Sequence, residues 1–350
     1  MRTIEWCEPN VLGRVERFNS MLKPGYVPFY FRARRWIQAA LARGERFDLA
    51  HQPVPVAVRY PSPAAGLGIP FVLGPVGGSV ESPPGFRAEE GTNAWYVRLR
   101  GLDRVRLRHD PWLRRSYRRA SCVIGIAPYV SELLARTPVR SLELLSETGL
   151  DQLPDLVDRT GHSDLVRMLF VGRIVRTKGA RDAIRALALV RQLPVCLDVV
   201  GDGFDRAACE ALVSSLGLTG QVRFHGWLPR KRVEDFYRSA DVFVFPSYRE
   251  PGGNVTFEAM GYGLPVLVSD IGGPAAVVDE TCGIRVHPVS PDQYARDLAA
   301  AMTRLVTDPG LRRSLGEGAR RRAAEIGLWD NRVDQMEAIY AKVLVGRPVS

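Results

Sequence analysis

The chain has 350 residues, 46% hydrophobic and 25% charged, an ordinary globular composition with enough length for two domains. No apolar run approaches the roughly 18 residues of a membrane span, and Met1-Arg2-Thr3-Ile4-Glu5-Trp6 has no apolar core, so neither a spanning helix nor a secretory signal is expected. The net charge is +10; five scattered cysteines without a Cys-x-x-Cys, and five dispersed histidines, exclude a disulfide or zinc framework and fit a cytoplasmic protein with no metal site.

In chain order, residues 1–46 contain no apolar opening strand and no Gly-Gly loop, and 28–43 are expected to be helical. Strands are expected at Phe47–His51, Pro70–Gly74, Cys122–Ile126 and Leu142–Leu145, with a helix at 128–136. His51 ends its strand, either as a group facing an acceptor or as a satisfied strand-end histidine. The glycines of Gly74-Pro75-Val76-Gly77-Gly78 read either as a close approach to a ligand or as a tight turn.

The charge is uneven, with 23 Lys/Arg against 16 Asp/Glu up to residue 160. Nine arginines between Arg98 and Arg119 alternate with Leu99, Leu102, Val105, Leu107, Trp112, Leu113 and Tyr117. That pattern fits an anionic membrane surface, as in a protein peripheral to the inner face of the cell membrane, or two solvated helices broken at Pro111. No recognition motif for nucleic acid accompanies it.

The junction between domains is expected near Leu145–Asp151, followed by a polar linker over 152–164. Beyond it, strands at 166–171, 195–200, 221–225, 241–245, 265–268 and 283–286 alternate with helices near 179–192, 204–216, 230–239, 254–263, 273–279 and 292–306. Such alternation predicts a doubly wound parallel sheet. Two more helices are expected at about 309–325 and 329–345.

Two strand–loop–helix corners carry the chemistry. In Gly172-Arg173-Ile174-Val175-Arg176-Thr177-Lys178-Gly179, two cations stand five residues apart between glycines, with Arg176 read as a solvated bystander. In Glu250-Pro251-Gly252-Gly253-Asn254-Val255-Thr256-Phe257-Glu258, two carboxylates flank a diglycine turn at a helix start. Helix-start amides suit phosphate, and carboxylates suit hydroxyls. The chain has no Asp-x-Asp, so Arg173 and Lys178 read either as groups neutralising a leaving diphosphate without metal or as solvated loop charges. Glu250–Glu258 reads either as a binding corner or as a turn with acids favoured at a helix start.

From about Glu143 to Tyr340 the chain resembles glycosyltransferase family 4, the group 1, sugar-retaining enzymes of GT-B fold. The resemblance rests on Gly172-Arg173-x4-Lys178-Gly179, Val199-Val200-Gly201-Asp202-Gly203 and Val222-Arg223-Phe224-His225-Gly226-Trp227-Leu228-Pro229. Further motifs are Ala240-Asp241-Val242-Phe243-Val244-Phe245-Pro246-Ser247, Glu250-x7-Glu258-Ala259-Met260-x2-Gly263-Leu264-Pro265-Val266 and Gly272-Gly273-Pro274. It implies an α/β protein of two Rossmann-like doubly wound domains facing a cleft: 1–150 on the acceptor side, 165–325 for the nucleotide-sugar, and 326–350 crossing back to the first. It also implies roles. Arg173 and Lys178 would bind the diphosphate of a UDP- or GDP-sugar, Glu250 the transferred sugar, and Glu258 the ribose. Gly252, Gly253, Asn254 and Val255 would offer amides to sugar and phosphate, and the backbone of His225, Gly226 and Trp227 would hold the base. His51, Gly77 and Gly78 would face a glycan or lipid-linked acceptor.

The chain departs from this pattern in two places. A histidine that many relatives carry near Val76 is absent. The first βαβ element is also missing from 1–46, so an N-terminal domain lacking its first strand is expected, with a start upstream of Met1 or a degenerate gene product as its cause. The expected activity is sugar transfer in polysaccharide or glycoconjugate synthesis without a cofactor. The alternatives are a GT-B remnant that binds nucleotide-sugar without turnover and, more distantly, a sugar phosphorylase.

Overall fold

The computed structural model describes residues 23–90, 102–157, 159 and 165–345. The chain forms two compact units: Met1–Ser79 with Asn93–Leu145 and Gln335–Ser350, and Val80–Thr92 with Ser146–Asp334.

The first unit opens, among the described residues, with α1 (Tyr26–Ala42), followed by strands β1 (Ala50–Gln52) and β2 (Phe71–Val76). Helices α2 (Leu102–His109) and α3 (Pro111–Arg119), strand β3 (Cys122–Gly125), helix α4 (Tyr129–Leu134) and strand β4 (Leu142–Leu144) complete it. The four strands are parallel and lie side by side in chain order. The expected turn after Gly74 is strand instead: β2 continues to Val76 with a register shift. A side chain at Gly74 would stand 2.3 Å from the Ile124 carbonyl oxygen, so glycine lets β2 and β3 approach there.

Asp110 caps α3 by accepting from the Trp112 and Leu113 amides, with Pro111 filling the first helical position. The break at Pro111 is therefore a capped restart. Leu107, Leu113 and Tyr117 are buried, whereas Leu102, Val105 and Trp112 are exposed. Ile339, from the final helix, completes a core with Val72, Cys122, Ile124 and Leu145.

The second unit has six parallel strands in the order β10-β9-β8-β5-β6-β7. These are β5 (Val166–Val171), β6 (Val195–Val200), β7 (Val222–Gly226), β8 (Val242–Phe245), β9 (Val266–Ser269) and β10 (Gly283–Val286). β8 is apolar and buried throughout, as a central strand of a sheet covered on both faces requires, whereas β5, β6, β7 and β10 each carry a charged residue. Helices α5 (Ala180–Leu189), α6 (Arg206–Ser215), α7 (Arg230–Ser239), α8 (Asn254–Gly261), α9 (Gly272–Val277), α10 (Pro291–Thr307) and α11 (Pro309–Ile326) connect or follow them, and α12 (Trp329–Val345) ends the described chain. The strand order reverses between β5 and β8, which is where ligands bind in open parallel sheets.

One segment lies outside the expected order. Residues 80–92 fall in the sequence half assigned to the first domain, but they belong to the second unit. Within them Pro84–Glu90 forms a 3-10 helix whose Phe86 is fully buried against Tyr248, with ring centroids 4.4 Å apart.

Arg176, expected as a solvated bystander, anchors this strap. It is 3% exposed and donates to both oxygens of buried Asp182 (2.6 and 2.9 Å) and to Glu89 (2.9 Å). Its guanidinium also lies over the rings of Phe86 and Tyr248. Arg185 adds two hydrogen bonds to Glu89 at 3.0 Å each. Burial pushes the Glu89 carboxyl upward, but hydrogen bonds and charge from Arg185 and Arg176 outweigh it and leave the pKa below its ordinary value.

The stretch after Leu145 is pinned to the second unit. Leu150 exchanges backbone hydrogen bonds with Gly327 and Trp329, and Arg320 donates to the Pro154 carbonyl.

Candidate functional site

The site is built where β5 and β8 end. From β5 the chain passes through Gly172 and exposed Arg173 into a 3-10 turn, Arg176–Lys178, that Gly179 closes in the left-handed conformation. From β8 it runs through Pro246 and Ser247 to Glu250 and the buried glycines Gly252 and Gly253. Lys178 Nζ makes a direct ion pair with Glu250 Oε2, their side chains 12% and 14% exposed. The ammonium also sits 5.7 Å from the centroid of the Phe245 ring. Two residues 72 positions apart in the chain thus meet at the sheet's switch point. Arg173 joins no ion pair among the described residues and is open to solvent.

Backbone packing fixes the position of Glu250. The Gly273 amide donates to the Glu250 carbonyl at 2.9 Å. Gly272 has φ +75°, and a side chain there would stand 2.1 Å from that same carbonyl oxygen. Only glycine fits both the backbone and the space. Next to Glu250, Arg249 reaches Glu90 of the strap at 3.4 Å.

α8 starts at Gly253 (φ +88°) with no side-chain cap, so the amides of Asn254 and Val255 in its first turn remain available to a ligand. Glu258 follows one turn on. Its Oε2 accepts from the Tyr237 hydroxyl at 3.0 Å, and Asn254 Nδ2 lies 3.4 Å from Oε1. Burial and the Glu258 charge push the Tyr237 phenol well above its ordinary range, keeping it a donor. Glu258 also lines a cavity of about 320 Å³ together with Arg230, Val233, Tyr237, Tyr262 and the 150–155 stretch. That volume is in the range of small-molecule sites.

At the end of β7, His225 Nε2 donates to Asp198 Oδ1 at 2.7 Å, and its ring packs on Phe236. The imidazole is thus committed to the protein, in line with a backbone rather than side-chain role. Gly226 has φ +70°, and Trp227 is 75% exposed.

The acceptor-side candidates are held by their own unit. His51 Nε2 donates to the Gly74 carbonyl at 2.6 Å, and Nδ1 accepts from the Tyr340 hydroxyl at 2.7 Å. Burial lowers its pKa and favours this neutral form. Both ring nitrogens are engaged within the protein, the arrangement of a satisfied histidine, and His51 sits inside β1 rather than at its end. The Gly78 amide donates to the Tyr129 hydroxyl at 3.0 Å, and the Gly77 carbonyl accepts from the Val58 amide at 3.2 Å. A side chain at Gly77 would overlap Ile126, so packing explains this glycine.

Sequence reasoning gave no site role to Glu147, in the turn after β4. One of its carboxylate oxygens lies 3.1 Å from where a side chain on Gly252 would begin. Burial, then the Glu250 charge, push its pKa up. No spacing rule links it to Glu250, because the contact is made only by folding.

Residues 159–322 match the family model described as glycosyl transferases group 1. The matched residues lie within the second unit. The D-inositol 3-phosphate glycosyltransferase of Salinispora arenicola is 37% identical over 190 residues, covering 50% of this chain and 41% of that protein. The lipopolysaccharide core biosynthesis glycosyltransferase LpsE of Rhizobium meliloti is 33% identical over 207 residues, covering 57% and 58%. The matched stretch therefore spans about half the length of these curated relatives.

Among solved structures, sucrose-phosphate synthase from Thermosynechococcus elongatus superposes with a TM-score of 0.65 at 22% identity, covering 95% of this chain and 80% of that one. Anabaena HepE in complex with UDP gives 0.63 at 18% identity, covering 91% and 82%. These likenesses establish the fold: the two units are the Rossmann-like parallel-sheet halves of a GT-B fold.

Proposed function

We propose that the chain is a retaining glycosyltransferase that moves a hexose from a UDP- or GDP-sugar to a hydroxyl of a glycan or lipid-linked acceptor, without a metal. The observation that carries this reading is the Lys178–Glu250 pair at the switch point, beside the uncapped start of α8. Without donor, the two groups neutralise each other. An incoming diphosphate takes Lys178 and the exposed Arg173, and Glu250 is then free to accept hydroxyls of the sugar. Glu258, oriented by Tyr237, takes the ribose diol, and the amides of Gly252 through Val255 meet sugar and β-phosphate. The loop at His225, Gly226 and Trp227 takes the base.

As the bond from the anomeric carbon to phosphate breaks, charge grows on the phosphate oxygen, where Lys178 and Arg173 stabilise it. The acceptor oxygen attacks from the same face, and its proton passes to that phosphate oxygen. The anomeric configuration is kept and no protein base is needed. Similarity to HepE, solved with UDP and with UDP and glucose, supports a nucleotide-sugar donor.

No helix among the described residues is long and apolar enough to cross a membrane. On the first unit, exposed Leu102, Val105 and Trp112 stand among arginines of α2 and α3, which suits docking on anionic lipid at the inner face of the cell membrane. Residues 98–101 of that stretch lie outside the described residues. Co-sedimentation with vesicles containing phosphatidylglycerol, lost on Val105→Asp with Trp112→Ser, tests the docking.

The test of the activity is release of nucleoside diphosphate from a panel of UDP- and GDP-sugars by the full chain. Turnover abolished in Lys178→Ala and Glu250→Ala supports the reading. Tight donor binding without turnover in the wild type supports a nucleotide-sugar-binding remnant, and no binding of any donor refutes both.

A further inference from the structure

Glu147 is a carboxylate with no task in the folded protein. The turn that carries it is set by Ser146, whose hydroxyl lies 3.0 Å from that of Thr148 and accepts from the Thr148 amide at 3.3 Å. Its carboxylate rests over the backbone of Gly252, close enough that any side chain at residue 252 would press on it. Among the described residues, no hydrogen bond or ion pair engages it. Glu250, its neighbour across Gly252, has Lys178. A half-buried carboxyl without a partner is costly to maintain, because burial penalises it and nothing in the protein compensates. The cost is recovered if a ligand supplies the missing donor.

The position says which ligand group that is. Gly252 belongs to the turn proposed above to meet the transferred sugar, so Glu147 and Glu250 approach the same turn from two sides. Sugar rings present several hydroxyls on adjacent carbons, and two carboxylates can each accept from one of them. A phosphate is excluded, since a carboxylate next to another carboxylate repels it.

We propose that Glu147 is a second sugar-selecting residue, accepting a hydrogen bond from a hydroxyl of the transferred sugar other than the one held by Glu250. The inference rests on the donor reading of this site. It assigns part of the sugar specificity to the stretch that follows β4, outside the strand–loop–helix corners of the sheet.

The test is calorimetric titration of the full chain with UDP, GDP, UDP-glucose and GDP-mannose, using wild type, Glu147→Ala, Glu147→Gln and Glu250→Ala. Glu147→Ala is expected to weaken binding of the preferred nucleotide-sugar roughly 10- to 100-fold, the worth of one charge-assisted hydrogen bond. Its affinity for the bare nucleotide should stay within about twofold, and Glu147→Gln should fall in between.

A donor lacking the relevant hydroxyl should bind wild type and Glu147→Ala alike. Equal binding of the complete donor by the two proteins, with Glu250→Ala impaired, overturns the role of Glu147 and leaves the donor reading standing. Equal weakening of nucleotide and nucleotide-sugar also overturns it, because that is the mark of a structural residue. A wild type that binds none of the four probes overturns both.

Discussion

Replacing Phe86 by alanine should destabilise the second unit although Phe86 lies far from that unit in sequence. The ring is fully buried, touches Tyr248 and Tyr294 and carries the Arg176 guanidinium 5.5 Å from its centroid. Truncating a buried phenylalanine costs about 3–5 kcal/mol through lost transfer energy and the cavity left behind. The lost cation–π contact, about 0.5–2 kcal/mol by itself, places the expectation in the upper part of that range. For a unit of this size the loss corresponds to a fall of about 6–20 °C in the midpoint of its thermal transition.

Two units need not melt together, so the assay must say which one weakens. Hydrogen exchange of peptides covering Val166–Val171 and Val242–Phe245 reports on the second unit, and limited proteolysis reports release of Val80–Glu90. A shift below about 1 kcal/mol, with no faster exchange in those strands, would refute the claim that the strap is part of that core.

Arg176→Ala should cost about 3–5 kcal/mol, because the fully buried Asp182 carboxylate loses both hydrogen bonds from Arg176 and keeps Arg185 at 3.6 Å, while Arg176→Met with Asp182→Leu should recover most of that loss in urea unfolding. Gly272→Ala should lower donor affinity at least tenfold, since the new methyl must displace the Glu250 carbonyl; the strained backbone adds about 1 kcal/mol or more of destabilisation, and unchanged binding would contradict the packing argument. Lys178→Ala should reduce binding of UDP or GDP about 10- to 100-fold in titrations, with a smaller effect at high salt.

Glu147→Gln should raise the unfolding midpoint at neutral pH. The folded state holds the Glu147 proton more tightly than the unfolded chain does, so wild-type stability falls as pH rises from the ordinary carboxyl range through the raised value. The advantage of the variant should shrink as pH is lowered toward about 4, and a gap independent of pH would mean that the carboxyl is not perturbed.

The second sheet was legible because its strands are short, mostly apolar stretches that alternate with helix-patterned segments, and local pattern suffices to place them. The Lys178–Glu250 encounter was legible for the same reason: both residues sit in loops at strand ends, and a parallel sheet brings such loops to one edge. Arg176 looks solvated in the sequence because the groups that cover it, Glu89, Phe86 and Tyr248, are distant in the chain, and nearby Asp182 reads as one more surface charge. An arginine two residues from Lys178 looks solvated until Glu89 and Phe86 are known to cover it. The strap itself carries no signal, since Pro83-Pro84-Gly85 reads as punctuation in a loop. His51 shows the converse limit, for only the fold brings Tyr340 and the Gly74 carbonyl to its two nitrogens.

The strap also has a consequence in time. Phe86 leaves the ribosome some 200 residues before Tyr294, the last of the three tyrosine and arginine neighbours that cover it. At about 5–20 residues per second, that interval is roughly 10–40 s. Through it, an apolar ring and two carboxylates, Glu89 and Glu90, wait for partners that have not been made. The core of the second unit is therefore not wholly C-terminal. Its folding draws back a piece of chain delivered early, and a gene fusion that transplants only the part after Leu145 leaves that piece behind.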